Sequence, residues 1–476
     1  MNIITITWIG LPLLLGFVIY LFPKLGASLS LATVCVSIVY AVWLLISQTS
    51  LDLDLLDSFG VVLEIDQLSG YFILTNALVT LAVILYCWHT QKTAFFYTQL
   101  TILHGSVNAI FICADLISIY VALEVIGIAS FLLVAYPRSD RSIWVGLRYL
   151  FISNVAMLFY LIGAILVYKA NYSFALTGIN NAPPEALALM IMALLSKGGV
   201  FISGLWLPLT HSESETPVSA ILSGVVVKAG VFPLLRFAEV SDGVGEILRI
   251  FGVATALIGG VYAIFEQDTK RTLALSTISQ LGWILAAPVV GGFYALSHGL
   301  AKGSLFLTVG TLPSRDFQEL QRQKINTRLW IVLTIASLSI MGFPLLVGFA
   351  AKSLTVKNLL PWQSVIMTIA AVSTSIVYAK FIFLPFGGKQ QVRPTFWSGV
   401  IVLIVSLFLG NAFYLEAYTI ANLSKALLVI LLGCLAYGLI FRKINITLNR
   451  VLEQFDNLIG FMSLMLILIF WMVLTV

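Results

Sequence analysis

The sequence predicts an all-α, multi-pass membrane protein, and its composition is the first reason. The 476 residues are 60% hydrophobic and only 10% charged, whereas a soluble domain carries about 25% charged residues. Apolar runs of about 20 residues, the helix length that crosses a bilayer core, recur along the chain. The alternating polarity of membrane β-strands is not seen. We therefore expect about 14–16 transmembrane helices and no sizeable soluble domain.

The apolar runs divide the chain into segments joined by short polar linkers. Sixteen segments fall near residues 3–22, 28–47, 69–88, 94–112, 115–136, 144–168, 185–209, 216–238, 246–265, 272–289, 291–310, 328–357, 361–385, 394–413, 421–441 and 457–475. The segments predict N-terminal helices 1–3 (1–93), a five-helix unit (94–238), a second such unit (246–385) and C-terminal helices (394–476). The first segment is followed by many more, which favours a spanning helix over a cleaved signal.

The basic residues predict which side of the membrane each linker faces. Of the 26 lysines and arginines, 16 lie in linkers that follow odd-numbered segments and 5 in linkers that follow even-numbered ones. Because basic residues accumulate on the cytoplasmic side, the odd linkers are expected in the cytoplasm and both termini outside. One even linker, 48–66, holds Asp52, Asp54, Asp57, Glu64 and Asp66, as an outer-side linker can.

The remaining basic residues are all lysines and all fall inside apolar segments: Lys197, Lys228, Lys302, Lys352 and Lys380. A lysine at mid-membrane costs at least about 2.5 kcal/mol. A buried lysine can gain and lose a proton near neutral pH, which arginine cannot do. Lys380 lies near a segment end, so we expect its side chain to snorkel to the membrane interface. The other four predict a proton relay.

Other ionisable groups inside the segments are few. Glu124 is the one carboxylate clearly within a segment, and we expect it to pair with Lys197 and modulate its proton affinity. His298 and Lys302 are four residues apart and share a helix face, whereas His104 is more typical of a packed, hydrogen-bonded histidine. The predicted relay thus comprises Glu124, Lys197, Lys228, His298, Lys302 and Lys352.

Two segments contain helix breakers. Segment 7 has Gly198 and Gly199 directly after Lys197, and segment 12 has Gly342 and Pro344 before Lys352. Breaks at corresponding positions of two halves indicate a transport site between inverted repeats. Because the breaks are five segments apart and five is odd, helices 4–8 and 9–13 are predicted to form two inverted five-helix repeats.

No motif for redox or hydrolytic chemistry is present. The chain lacks a phosphate-binding loop, a dinucleotide fingerprint and a metal-ligand cluster. Its four cysteines lie in or at the edge of apolar runs and form no CxxC pair, which is typical of buried thiols. We therefore expect no cofactor, no metal, no catalytic residue and no nucleic-acid partner, and a transporter subunit rather than an enzyme.

Four stretches, in order along the chain, carry a resemblance to a known family. They are WLPLTHSESETPVSAILSGVVVKAGVFPLLR, DTKRTLALSTISQLGWIL, SHGLAKGSLFLTVG and GFPLLVGFAAK. They resemble the antiporter-like subunits, which include the D and A subunits of Mrp-type cation/proton antiporters and the three large proton-pumping membrane subunits of complex I. The chain departs from the usual pattern at Gly198-Gly199, where a proline is common, at Thr210, which is often alanine, and at Leu345, which is often proline.

The resemblance implies the same fold of two inverted repeats with broken helices 7 and 12. It places the family's helix 5 glutamate at Glu124 and the helix 7, 8 and 12 lysines at Lys197, Lys228 and Lys352. It also places the helix 11 histidine and lysine at His298 and Lys302. These are the groups that charge counting selects.

The resemblance implies a proton-translocating subunit of a multisubunit Na⁺/proton antiporter, most like the Mrp D type. The alternatives are a proton-pumping subunit of a complex I relative and a subunit of an inorganic-carbon uptake complex. Expected partners are other membrane subunits, the lipid bilayer, protons and a monovalent cation. The expected location is a plasma membrane of bacterial type or an equivalent energy-coupling membrane.

Overall fold

The computed structural model of the chain describes residues 2–55, 61–444, 446 and 449–475. Twenty α-helices are described: α1 Asn2–Leu21, α2 Gly26–Ser47, α3 Gln67–Cys87, α4 Ala94–Ile110, α5 Leu116–Val134, α6 Asp140–Asn171, α7 Pro184–Lys197, α8 Leu207–Glu213, α9 Thr216–Ile221, α10 Val227–Val240, α11 Asp242–Phe265, α12 Thr269–Ala286, α13 Gly291–Val309, α14 Phe317–Arg322, α15 Thr327–Met341, α16 Val347–Lys357, α17 Pro361–Ile382, α18 Pro394–Leu409, α19 Ile420–Leu439 and α20 Phe455–Thr475. The expected all-α membrane fold is confirmed.

Each of the sixteen predicted segments corresponds to a helix or to a pair of half-helices. Eleven helical stretches of the described chain are long and apolar enough to cross a bilayer, and α12 and α13 meet at a bend of 107°. The remaining segments are α4, with 17 residues, and the pairs α7–α8 and α15–α16. The division into repeats 94–238 and 246–385 stays a prediction.

The strands are short and lie in linkers. Strands β1 (Leu51–Asp54) and β2 (Val62–Ile65) form an antiparallel hairpin before α3. Strand β3 (Ile325–Asn326) lies directly before α15, strand β4 (Phe386–Gly388) lies shortly after α17, and the two pair in parallel. Asp57, counted among the acids of linker 48–66, lies outside the described residues.

Burial separates central from peripheral helices. Every residue of α12 and α13 is buried, and so is the whole apolar window of the span 216–240. Helices α1, α18, α19 and α20 instead keep less than a third of their apolar windows buried. Because apolar side chains exposed on a membrane protein can face lipid at no cost, the peripheral helices fit a lipid or subunit boundary, and the polar groups concentrate in the centre.

Both predicted breaks are present. Helix α7 ends at Lys197 and is followed by Gly199, whose φ of +71° favours glycine. A side chain there would also meet Leu207 at 2.4 Å. Helix α15 ends at Met341, and Gly342 follows at φ +88°. Each break therefore leaves helix-end carbonyl groups within the segment.

A buried arginine joins α10 to the linker before α3. Arg236 is 2% exposed and forms ion pairs with Glu64 at 3.0 Å, Asp66 at 2.8 Å and Glu239 at 2.8 Å. Burial would raise the pKa of Asp66, but the hydrogen bonds and charge of Arg236 outweigh it and hold that pKa below its usual value. For Glu64, burial outweighs Arg236 and raises the pKa. Asp66 is thus the carboxylate that this cluster stabilises in its charged form.

We expect the Asp66 cluster to make stability pH-dependent in acid. A carboxyl with a depressed folded pKa contributes stability above its unfolded pKa, about 3.9, and loses it as the pH falls through the folded value. In thermal unfolding of the detergent-purified protein, the wild type should therefore lose more stability below about pH 4 than Asp66→Asn. Identical acid profiles for the two proteins would contradict the assignment.

Candidate functional site

The central helices bring together the charged groups that the sequence singles out. Lys197, Lys228, His298 and Lys302 are at most 4% exposed, on α7, α10 and α13. Lys352, on α16, is half-buried. Since an unpaired charge in a low-dielectric interior costs several kcal/mol, the polar partners of each lysine determine what the group can do.

Lys228 follows a π-helical turn, Leu222–Val226, which lies between α9 and α10. Its ammonium donates to the carbonyl of Gly224 at 2.6 Å and to that of Ser223 at 3.3 Å. No carboxylate of the described chain lies within 4.0 Å of it. A π-turn inside a helix often occurs at functional sites, and here its carbonyls solvate a lysine that has no counter-ion.

Lys302 is held by the neighbouring helix α12. Its ammonium donates to the carbonyl of Leu273 at 2.7 Å and lies 5.6 Å from the centre of the Tyr378 ring. The Thr277 hydroxyl donates to the same carbonyl at 2.9 Å. The partners of this buried lysine are thus a carbonyl oxygen and an aromatic face.

A pair of hydroxyls connects the surroundings of Lys228 and Lys302. The hydroxyl groups of Ser223 and Thr277 are 2.7 Å apart, and both side chains are buried. Ser223 contributes a carbonyl to Lys228, while Thr277 binds the carbonyl that accepts from Lys302. This polar bridge fixes the π-turn against α12, so the two lysines are held across one buried helix contact.

His298 lies in the electrostatic field of both Lys228 and Lys302. It is 1% exposed, and neither ring nitrogen has a hydrogen-bond partner among the described residues. The ring lines a small gap together with the polar side chains Gln280, Tyr294, Ser297 and Ser339. A buried imidazole with two free nitrogens can both accept and donate a proton.

Lys352 lies beyond the break of segment 12 and reaches back across it. Its ammonium donates to the carbonyl of Met341, the last residue of α15, at 3.2 Å and lies 5.0 Å from the Trp283 ring centre. The side chain lines an open cavity whose polar residues include Asn422 and Lys425 on α19. Among the lysines proposed for the relay, Lys352 thus lies beside an open cavity, and Lys380 lines a separate one near the end of α11.

Lys197 and Glu124 are close but form no direct ion pair. The Lys197 ammonium donates to the Ser153 hydroxyl of α6 and lies 3.0 Å from where a Cβ on Gly127 would be. Glu124 is half-buried one turn before Gly127 on α5 and interacts electrostatically with Lys197. No carboxylate oxygen of Glu124 lies within 4.0 Å of the Lys197 nitrogen. The interaction between the two side chains is therefore a longer-range electrostatic one in this conformation.

Two groups that the sequence analysis set aside have structural partners. Lys380 is buried rather than extended to an interface. Its ammonium caps the end of α11 through the carbonyls of Ile264, at 3.2 Å, and Glu266. His104 is hydrogen-bonded to the Ser37 hydroxyl at 2.9 Å. A cation that binds the last carbonyls of a helix stabilises that helix end.

The sequence analysis missed the hydroxyls of Ser153, Ser223 and Thr277. A signal for Thr277 exists in the STISQ run of segment 10, which puts four polar side chains on a helix that is otherwise apolar after its first turn. The structure buries all of α12, so these polar groups must find partners inside the protein. Among the described residues, no group of three or more His, Cys, Asp or Glu side chains could hold a metal ion.

The helical bundle, its two broken segments and its buried lysines define a membrane subunit of the antiporter-like class. The family model for the transmembrane region of NADH:quinone oxidoreductase and Mrp antiporter proteins matches residues 113–377, more than half of the chain. The chain belongs to this family.

Curated relatives agree with this membership. Two Staphylococcus aureus proteins are described as putative antiporter subunit mnhA2, from strains MSSA476 and USA300/TCH1516. Each is 30% identical to this chain over 393 aligned residues, and the match covers 71% of this chain. The chain spans about half of their length, 48%.

The fold is also similar to chains of two solved complexes. One is the Mrp complex from Dietzia sp. DQ12-45-1b, with a TM-score of 0.80, 21% identity and coverage of 97% of this chain and 59% of that one. The other is the membrane-bound sulfane sulfur reductase, an archaeal respiratory membrane complex. Its chain matches with a TM-score of 0.77 and 19% identity, and the match covers 92% of this chain and 99% of that one.

Proposed function

We propose that the chain is the proton-translocating subunit of a multisubunit cation/proton antiporter. The observation that supports this proposal is the set of lysines inside the bundle that have no carboxylate within 4.0 Å among the described residues, with Lys228 and Lys302 joined by the bridge of Ser223 and Thr277. A desolvated amine is easily deprotonated, so such a row can exchange protons where a salt-bridged row could not.

In this mechanism each step moves one proton from an ammonium to a neighbouring neutral base. The proposed order is Lys197, Lys228, then His298 with Lys302, and finally Lys352 at its open cavity. Carbonyl oxygens cannot carry a proton onward, so the bridge positions the lysines and supplies a polar lining for water. Glu124 would hold Lys197 charged, and a movement of α5 relative to α7 would strengthen or weaken that effect.

Partners complete the proposed function. Protons would cross through this chain while sodium or another monovalent cation moves in the opposite direction, through this or another membrane subunit. The Staphylococcus aureus relatives are described as antiporter subunits, which supports this assignment. We further propose that both termini face the outer side, since the basic linkers lie on the opposite face.

A second candidate is a proton-pumping subunit of a complex I relative, in which redox chemistry in other subunits drives the same relay. One observation favours it: the chain matches 99% of its counterpart in the archaeal respiratory complex but only 59% of the Mrp chain. A subunit of an inorganic-carbon uptake complex is the third possibility. Purification of the native assembly with identification of its subunits distinguishes these assignments.

The proposal is tested by proton flux in membrane vesicles that contain the assembly. A sodium gradient should drive proton movement if the chain serves an antiporter. In a respiratory relative, an electron donor such as NADH or reduced ferredoxin, supplied together with a quinone or sulfane-sulfur acceptor, should drive it. Absence of proton movement under each of these driving forces, with the assembly intact, would refute a proton-translocating role.

Substitutions of Thr277 in the hydroxyl bridge are expected to reduce proton flux to different degrees. Thr277→Val keeps the side-chain shape but removes the bonds to Ser223 and the Leu273 carbonyl. A lost hydrogen bond of about 0.5–1.5 kcal/mol corresponds to a flux reduction of about two- to ten-fold. Thr277→Ser retains the hydroxyl and should stay close to the wild type. Equal flux in the valine and serine variants, at equal protein levels, would contradict the role of the bridge.

A further inference from the structure

A second cavity lies at the membrane face where several helices begin or end, away from the lysine row. It is bounded by the end of α3 and the following loop, by the loop between α8 and α9, and by the first residues of α12 and α18. Its volume, including the space open to solvent, is about 860 Å³. That is far more than one phosphate group occupies.

The charges that line this cavity are mostly positive. Lys92, Lys270 and Arg393 face one carboxylate, that of Glu215. Glu215 is already paired with Lys92 at 2.6 Å. Within the described chain, no carboxylate lies within 4.0 Å of the Lys270 or Arg393 cations. Two positive charges in the cavity therefore have no direct ion-pair partner among the described residues.

Lys270 is the more unusual of the two, because it is only 6% exposed. Its ammonium donates to the carbonyl of Ser214 at 2.8 Å, which satisfies one of its three hydrogens. Keeping a buried cation beside a cavity, with a neutral carbonyl as partner, is costly unless an anion compensates it. Lys270 therefore points to a negatively charged ligand in the cavity.

Helix ends add to the positive potential. The 25-residue helical span that starts at Thr216 and the helix α18 that starts at Pro394 both begin at this cavity, and neither has a side-chain cap at its N-terminus. The start of a helix carries a partial positive charge and favours anions. The hydroxyl of Thr216 also lines the cavity and can donate to a ligand oxygen, whereas that of Thr90 donates to the carbonyl of Cys87 at 2.7 Å.

We propose that this cavity binds a phosphate group, carried by the headgroup of an acidic phospholipid or present as free phosphate. Three cations and one carboxylate line the cavity, so its net charge is positive. That charge can balance one singly or doubly charged phosphate group. Basic pockets between transmembrane helices are a recognised setting for acidic headgroups. The ligand would tie α3, α12 and α18 together at this face, and the inference does not depend on the proposed proton relay.

The test uses the full-length chain, purified in detergent and depleted of lipid. Native mass spectrometry would measure binding of phosphatidylglycerol against phosphatidylcholine. Thermal unfolding would measure stabilisation by sodium phosphate against sodium chloride at equal ionic strength. Variants would be Arg393→Gln and Arg393→Glu, since Arg393 is exposed and its replacement spares the buried Lys270. Arg328→Gln is the matched control, because Arg328 is also exposed near a helix start but does not line the cavity.

We expect phosphatidylglycerol to bind the wild type in preference to phosphatidylcholine. Arg393→Gln should weaken that binding about five-fold, the effect of one basic residue near an acidic headgroup, and Arg393→Glu should weaken it further. Binding of phosphatidylglycerol without stabilisation by phosphate assigns the site to a lipid headgroup, and stabilisation by phosphate as well shows that the inorganic ion suffices. The proposal is overturned if neither probe distinguishes wild type from the Arg393 variants, or if Arg328→Gln weakens binding equally.

Discussion

Lys228→Ala is expected to reduce proton-coupled transport by about 10²-fold or more, the usual effect of removing a proton-transferring side chain. Lys228 is fully buried, and its ammonium binds the carbonyls of Ser223 and Gly224 in the π-turn. Without the amine, the proposed relay loses its step between Lys197 and the pair His298 and Lys302. The measurement is proton flux in membrane vesicles, with the amount of membrane-inserted protein determined in parallel.

The controls for Lys228 separate charge from packing. Lys228→Met preserves most of the side-chain volume and should be as inactive as the alanine variant. Lys380→Ala removes a lysine that is equally buried, but that lysine caps the end of α11 through backbone carbonyls. Its effect should be mainly on stability, with much milder loss of flux. Normal transport by Lys228→Ala would refute the relay, and complete loss in Lys380→Ala would show that Lys380 also carries protons.

Glu124→Ala is expected to cause the second largest loss of transport, a strong reduction at wild-type protein levels. In the proposed mechanism Glu124 acts on Lys197 through space, because a carboxylate near a lysine favours the charged form of the amine. Glu124→Gln keeps the shape and removes the charge, and should behave like the alanine variant. Because a changed proton affinity is the cause, flux in the glutamine variant should depend on pH differently from flux in the wild type.

The matched control for Glu124 is Glu185→Gln, an exposed carboxylate in the first turn of α7. It is on the same helix as Lys197 but at the opposite end, and its replacement should leave transport and its pH profile unchanged. Wild-type transport by Glu124→Gln would remove Glu124 from the mechanism. Equal losses in both glutamine variants would show that the effect is not specific to the group beside Lys197.

The sequence predicted the general architecture well because its signals are local. Helix number follows from apolar run length, and both breaks follow from glycines next to Lys197 and before Lys352. The helical relation of His298 to Lys302 follows from their spacing of four residues. Each of these inferences needs one stretch of chain and the dimensions of a bilayer.

Contacts between helices were not predictable in the same way. The Ser223–Thr277 bridge joins residues 54 positions apart, and the π-turn that aims two carbonyls at Lys228 has no marker in its sequence, LSGVV. Lys380 was expected to extend to an interface, yet packing places it beneath the end of α11. The expected Glu124–Lys197 contact is replaced by a hydrogen bond from Lys197 to Ser153.

The sequence by itself determined that this protein is a multi-pass helical membrane protein with lysines in its apolar interior. It could do so because burying an amine in a bilayer is costly and is therefore visible in any single segment. Only the tertiary structure decided which oxygens solvate each amine. Hydroxyl and carbonyl partners reach across helices that are distant in sequence, and their hydrogen bonds depend on ångström-scale distances that composition and periodicity do not encode.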